Sequence, residues 1–192
     1  MNIIFATGNE NKVKEIQAMI GDNYDILSLK DVNCLEEIPE TANTLIGNAI
    51  QKAEYIYKKF GKNCFADDTG LLVESLNGDP GVYSARYAGE QKNSEDNMNL
   101  LLQNLSNKTN RKAKFQTAIC LIWEGEQHIF TGEVEGEITL EKHGNDGFGY
   151  DPIFLPFESK QTFAEMSLSD KNLISHRSRA VKKLADFLIS LS

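Results

Sequence analysis

Cysteine is scarce in this chain: Cys34, Cys64 and Cys120 are the only three, widely spaced and without a C-x-x-C pair. An odd, scattered set argues against both a disulfide framework and a zinc site, and leaves buried free thiols as the expected state. Long apolar runs are missing too. No stretch approaches the roughly 18 residues that a membrane-spanning helix requires, so no membrane partner is expected. The opening "MNIIFATGNENK" has neither a basic lead nor a small-residue cleavage site, which argues against a secretory signal and for a cytoplasmic protein. Positive charge is in short supply, with 20 Lys+Arg against 28 Asp+Glu and a net charge of -8. Such a field opposes non-specific attraction to a nucleic-acid backbone, so no nucleic-acid partner is expected. A small anionic ligand is a different case, because a few local cations and backbone N–H groups act at short range.

What is present is a chain of 192 residues, the size of one ordinary domain. Residues 1–192 are therefore expected to form a single domain, with residues from about 80 to 140 as a candidate smaller lobe. "NIIFAT" reads as a buried strand, and "ENKVKEIQAMIG" as a helix with Val13, Ile16 and Ile20 inward and Gly21 as C-cap. "YDILSL" predicts a second strand, and "NTLIGNAIQKAEYIYKKFG" a longer helix burying Leu45, Ala49, Ala53, Ile56 and Phe60. "NCFAD" predicts a strand ending at the acidic pair Asp67 and Asp68. A helix capped by Ser94 should bury Met98, Leu101, Leu102 and Leu105, and two long β segments from 112 to 140 should pair antiparallel. A loop then leads to a last helix with Ala180, Val181, Leu184 and Leu188 on one face. The pattern is α/β, with a mixed sheet flanked by helices.

Four stretches carry residue types suited to chemistry. In "TGNENK", a strand passes through Gly8 to a helix start whose free N–H groups make an anion site, although the second glycine and the Ser or Thr of a P-loop are missing. In "ADDTGL", strand geometry would send Asp67 and Asp68 to opposite sides. One of them, with a partner from Glu36, Glu37 or Glu40 in "EEIPET", would suit a hard divalent cation; the acidic stretch reads equally well as a solvated loop. "GFGYDP" offers the aromatic faces of Phe148 and Tyr150, on which a nucleobase can stack for about 1 to 3 kcal/mol, and also reads as a glycine turn with two core aromatics. Finally, Lys171, His176 and Arg177 precede a helix start, where cations oppose the macrodipole and suit an anionic partner. His128 and His143 have no metal-ligand partners at useful spacing and are expected to be structural.

Taken together and in this order, "FATGNENKVKEI", "FADDTGLLVESLNGDPGVYSARYAG", "GFGYDPIF" and "ISHRSRA" resemble the non-canonical purine nucleoside triphosphate pyrophosphatases, the inosine triphosphatase or Ham1-like family. The resemblance runs from residue 2 to about 188. It implies an elongated mixed sheet flanked by helices, two lobes with a central cleft, and a homodimer. It also implies Mg²⁺-dependent hydrolysis of ITP, dITP and XTP to the monophosphate and pyrophosphate. Carried over by position, Thr7, Gly8, Asn9, Glu10, Asn11 and Lys12 would hold the triphosphate, with Lys52 as a further phosphate contact. Asp68 would be the catalytic carboxylate and a Mg²⁺ ligand, and Thr69 stands where many members carry Ser. Phe148 would stack on the purine beside Gly149, Tyr150 and Asp151, while Lys171, His176 and Arg177 reach the base and phosphates. Many members have two consecutive glutamates where this chain has Pro39 and Glu40; proline cannot ligate, so the role of second metal ligand passes to Glu40, to Glu36 or Glu37, or to water, and Glu40 is the choice adopted. Two other readings stand beside this one: a nucleotide-binding or sensing module without turnover, and a pyrophosphatase for other modified nucleotides.

Overall fold

The computed structural model describes residues 1–191, apart from the side chains of Asn11 and Glu15. Six strands form one sheet in the order β2-β1-β3-β4-β5-β6: β1 Asn2–Phe5, β2 Asp25–Leu27, β3 Cys64–Val73, β4 Lys112–Trp123, β5 Glu126–Ile138 and β6 Phe154–Pro156. β1 lies parallel to both β2 and β3, with Ile4 opposite Leu27 on one side and Cys64 on the other. Parallel neighbours need crossovers, and α1 (Glu10–Ile20) and α2 (Leu45–Phe60) stand where these are required. β4 and β5 are joined by Glu124 and Gly125 alone, both at positive φ (50° and 89°), the backbone twist of a two-residue antiparallel hairpin. β6 closes the sheet antiparallel to β5. The expected mixed α/β architecture is the one observed.

The chain divides into two compact units. The first comprises Met1–Asp68, Thr117–Gly132 and Arg179–Ser192, and the second Thr69–Gln116 and Glu133–Ser178. In the first unit, side chains of β1 and β3 alternate faces as the pleat requires. Ile3, Phe5, Phe65, Ile119 and Leu121 meet α1 and the C-terminal helix α5 (His176–Ser190) through Ile16, Ile20, Val181, Leu184 and Leu188. Cys64 points the other way, its Sγ 3.3 Å from the Ala53 carbonyl of α2. Burial raises the Cys64 and Cys120 thiols to about 12, so both stay protonated and inert. All three cysteines are free and buried, as expected.

The second unit has its own core. Leu71, Val73, Phe115, Val134 and Ile138 pack against Met98 and Leu101 of α3 (Ser94–Asn104) and against Leu105, which caps its C-terminus. Phe115 is edge-on to Phe154 at 4.7 Å; truncating such a buried ring costs about 3 to 5 kcal/mol.

Several sequence expectations need correction. β3 does not end at the acidic pair but continues five residues past Asp68 to Val73, because Leu71 and Val73 are buried in the second core. The cap of α3 is Asn93, whose side chain accepts from Asp96 N, and Ser94 is the first helical residue. Phe60 is only half-buried. Residues 168–174, where no element was expected, form a short helix α4 (Leu168–Ile174), capped by Ser167 through Asp170 N.

Candidate functional site

In the first unit, β1 gives way at Ala6 to a three-residue loop, Thr7–Asn9, before α1. The Thr7 hydroxyl accepts from Asn9 N at 3.1 Å and the Asn9 carboxamide oxygen from Lys12 N at 3.4 Å, so the loop is fixed by its own polar side chains. The helix start beyond it keeps N–H donors directed out of the helix. A side chain at Gly8 would meet nothing within 4 Å; that position is bare backbone that a ligand can approach. Glu10 turns aside to pair with Lys30 at 3.0 Å. The side chain of Asn11 lies outside the described residues. Lys12 reaches across to β3, its Nζ 3.0 and 2.7 Å from the two oxygens of Asp67. Both Asp67 oxygens engage one ammonium, which fixes a cation beside the helix start.

Asp68, the next residue on β3, meets a different set of partners, as the strand period demands. Asn48 Nδ2 donates to Asp68 Oδ2 at 3.0 Å, and Lys52 Nζ lies 3.8 Å from Asp68 Oδ1. Lys52 also donates to Glu40, so one buried ammonium stands between two carboxylates. Asn48 and Lys52 are one turn apart on α2, on the same face as Leu45, Ala49, Ala53 and Ile56. Of the acidic stretch, Glu36 is held elsewhere. Lys59 and then Tyr55 hydrogen-bond its carboxylate and pull its pKa below the usual range, and Glu37 is exposed. Glu40 is therefore the acid that shares a partner with Asp68. Among the described residues, no group of three or more His, Cys, Asp or Glu side chains is arranged to hold a metal ion. The pair Asp68 and Glu40, already gathered around a cation, fits a hard divalent ion that takes one or two carboxylates and completes its shell with water and phosphate oxygens.

The second unit carries the aromatic stretch. Gly147 and Gly149 both have positive φ (80° and 63°), and a Cβ on Gly147 would come within 2.2 Å of Asp151 Oδ2. The turn therefore needs glycine for conformation and for space. It wraps around the Asp151 carboxylate, which accepts from Phe148 N at 2.8 Å and from Lys171 Nζ at 2.5 Å. Asp151 is 3% exposed, whereas Phe148, on the tip of the turn, is 66% exposed. Lys171 Nζ stands 4.9 Å from the Phe148 ring centroid and Arg177 Cζ 5.8 Å from it, within cation–π range. Thr69, half-buried on β3, falls in this unit.

Two expectations for this region change. Tyr150 does not offer its ring to a ligand. It is 4% exposed within the second core, with its hydroxyl donating to Ser84 O at 2.9 Å and its pKa raised by burial. His176 and Arg177 do not precede a helix but open α5, while Lys171 belongs to α4. The His176 ring is stacked on Phe115 at 4.7 Å and 15°, so the aromatic core sets its orientation. His128, given no role, packs on Phe187 at 4.5 Å.

Sequence reading passed over three residues that organise these clusters: Asn48, Asp67 as the holder of Lys12, and Phe115. Asn48 alone left a legible signal, an amide one turn before a lysine inside an apolar helical stripe, where an unpaired polar group would be costly.

The sequence profile of the Ham1 family matches residues 3–187. A dITP/XTP pyrophosphatase of Flavobacterium johnsoniae is 58% identical over 188 residues, covering 98% of both chains. The dITP/XTP pyrophosphatase of Bacillus subtilis is 45% identical over 189 residues, covering 96% of both. Among solved structures, the Ham1 protein of Staphylococcus aureus superposes with a TM-score of 0.96 at 39% identity, over 100% of each chain. That of Coxiella burnetii gives 0.95 at 34%, over 99% of each. On sequence and on fold, along nearly its whole length, the chain belongs to the Ham1 family.

Proposed function

We propose that this protein is a hydrolase that converts the non-canonical purine nucleoside triphosphates dITP, ITP and XTP to the monophosphate and pyrophosphate, removing deaminated purines from the nucleotide pool. The observation that carries the reading is the pair of adjacent aspartates on β3, one holding Lys12 beside a helix start and the other facing Lys52. It occurs in a chain 58% identical to a dITP/XTP pyrophosphatase. Two lysines held in place by carboxylates, with the N–H groups after Gly8, supply the donors for a polyphosphate, and the excess of carboxylate leaves room for a divalent cation. Asp68 is the general base: it takes a proton from the water that attacks the α-phosphorus, the α–β phosphoanhydride bond breaks, and pyrophosphate leaves with its charge met by Lys12 and Lys52. Asp68 and Glu40 would hold Mg²⁺, which when bound neutralises phosphate charge. Thr69 supplies a hydroxyl to the substrate.

The base is assigned to the second unit. Phe148 stacks on the purine, and Lys171, His176 and Arg177 supply donors toward its edge. Hypoxanthine and xanthine present an acceptor at O6 and a donor at N1; adenine reverses that edge and would leave buried groups unpaired. The reading includes a homodimer in the cytoplasm.

The test is product analysis. The purified protein with Mg²⁺ is incubated separately with dITP, ITP, XTP, ATP and GTP, and pyrophosphate and orthophosphate are measured. Pyrophosphate is expected from the first three at rates at least about 100-fold above that from ATP, the discrimination that unpaired polar groups give; guanine shares the O6 and N1 edge, so the GTP arm reads discrimination at the 2-amino group. Orthophosphate in its place, or equal rates for ATP, overturns the reading.

A further inference from the structure

Asn48 is 1% exposed, and an asparagine in the middle of a helix contributes less to helix stability than the alanine next to it. Its carboxamide is used at both ends. Oδ1 accepts from Ala42 N at 2.9 Å and Nδ2 donates to Asp68 Oδ2 at 3.0 Å. The chemistry of the partners fixes this orientation: a backbone N–H must face the amide oxygen and a carboxylate the amide nitrogen, and a flipped amide would oppose like with like at both contacts. Ala42 lies two residues after Glu40. One side chain thus joins the strand that carries Asp68 to the segment that carries Glu40.

A second bond holds the same segment without touching Asp68. Thr41 and Gln51 exchange two hydrogen bonds, Thr41 N to Gln51 Oε1 and Gln51 Nε2 to Thr41 Oγ1, each 2.9 Å. The acidic segment therefore has an anchor independent of Asn48, and the donor that Asn48 gives to Asp68 serves a separate purpose. It engages Oδ2, while Oδ1 is turned toward Lys52.

We propose that Asn48 is a positioning residue for the reaction. Its amide N–H sets the rotation of the Asp68 carboxylate so that one oxygen is held and the other faces the reacting water. The inference rests on the function proposed above. Acting through Asp68 alone, Asn48 should govern turnover and leave substrate affinity untouched, because a carboxylate turned away from its task weakens the transition state and not the bound ground state.

The experiment compares the wild type with Asn48→Ala, Asn48→Asp and Gln51→Ala, measuring kcat and KM for pyrophosphate release from dITP and the thermal midpoint of each. Asn48→Asp is isosteric and keeps the acceptor for Ala42 N, but it sets a second carboxylate against Asp68, so the neutral Asn48→Ala carries the positioning test and Asn48→Asp adds the effect of charge. The expected result is a fall in kcat of at least about tenfold in both Asn48 variants, with KM within about threefold of the wild type, and near-normal kcat in Gln51→Ala. Should Asn48→Ala fail to fold, the neutral Asn48→Ser takes its place. Full activity in the neutral variant overturns the proposal, as does a rise in KM with kcat intact in either Asn48 variant. A kcat loss in Gln51→Ala equal to that of the Asn48 variants also overturns it, since anchoring of the acidic segment would then account for both. A wild-type protein that releases no pyrophosphate from dITP defeats the functional reading first, and the positioning role with it.

Discussion

In the first unit, Lys12 and Lys52 are each already engaged by carboxylates. In the second, the Phe148 ring stands in solvent, with Lys171 and Arg177 against it. The first arrangement is built of charges placed before any ligand arrives, and such preorganised groups act where charge develops during reaction. The second leaves an apolar face to be covered, and covering it is a binding event that helps ground and transition states alike. On the function proposed above, one cluster is fitted to chemistry and the other to recognition. Each prediction below asks whether that division holds.

The largest effect is expected at Asp68. Asp68→Asn keeps the shape of the side chain and leaves an acceptor oxygen for the Asn48 amide, but it removes the base. Turnover should fall by about 10²- to 10⁴-fold, the contribution of a positioned general base. Binding of dITP, read by equilibrium titration of the variant, should stay within about tenfold of the wild type. Retained turnover would take Asp68 out of the base's role. A collapse of binding equal to the loss of rate would make the first cluster a recognition element and erase the contrast with the second.

How far the sequence announced this contrast differs between the two clusters. The residues of the first cluster were legible because local chemistry demands them. A glycine after a strand, polar residues before a helix and adjacent acids on a strand each have a physical reason that needs no knowledge of distant partners. The sheet and helices were legible for the same reason, from periods of 2 and 3.6. What escaped was set by tertiary contact. β3 was read as ending at Asp68 because acids seldom continue a buried strand, yet Lys12, Asn48 and Lys52 satisfy the pair and let the strand run on to Val73. Tyr150 looked like a second stacking face beside Phe148, but its neighbour Asp151 anchors the turn so that one ring points outward and the other enters the core. Helix α4 went unread because its seven residues give too short a period to register.

Phe148→Ala sharpens the comparison from the other side. Base stacking is worth about 1 to 3 kcal/mol, so KM for dITP should rise by about 5- to 150-fold, with kcat changed by less than about threefold. The exposed ring leaves the fold little dependent on it, and the thermal midpoint should not move. An unchanged KM would refute stacking on this ring. A kcat loss matching that of Asp68→Asn would show that the second cluster also serves the chemical step.

The smallest effect is expected at Glu10, where the division is tested within the phosphate loop itself. On the proposed function the helix start offers N–H groups to the phosphates, and the Glu10 side chain turns away to the exposed pair with Lys30. The backbone N–H of residue 10 is unaltered by a change of side chain, so Glu10→Ala keeps that donor and only removes a negative charge close to an anion site. KM should therefore stay level or fall by no more than about threefold, and more so at low salt, where charges on the surface are less screened. A rise in KM of tenfold would mean that the carboxylate itself engages the substrate or its counter-ion. The loop would then recognise through side chains, as the second unit does, and not through the fixed backbone that sets the first unit apart.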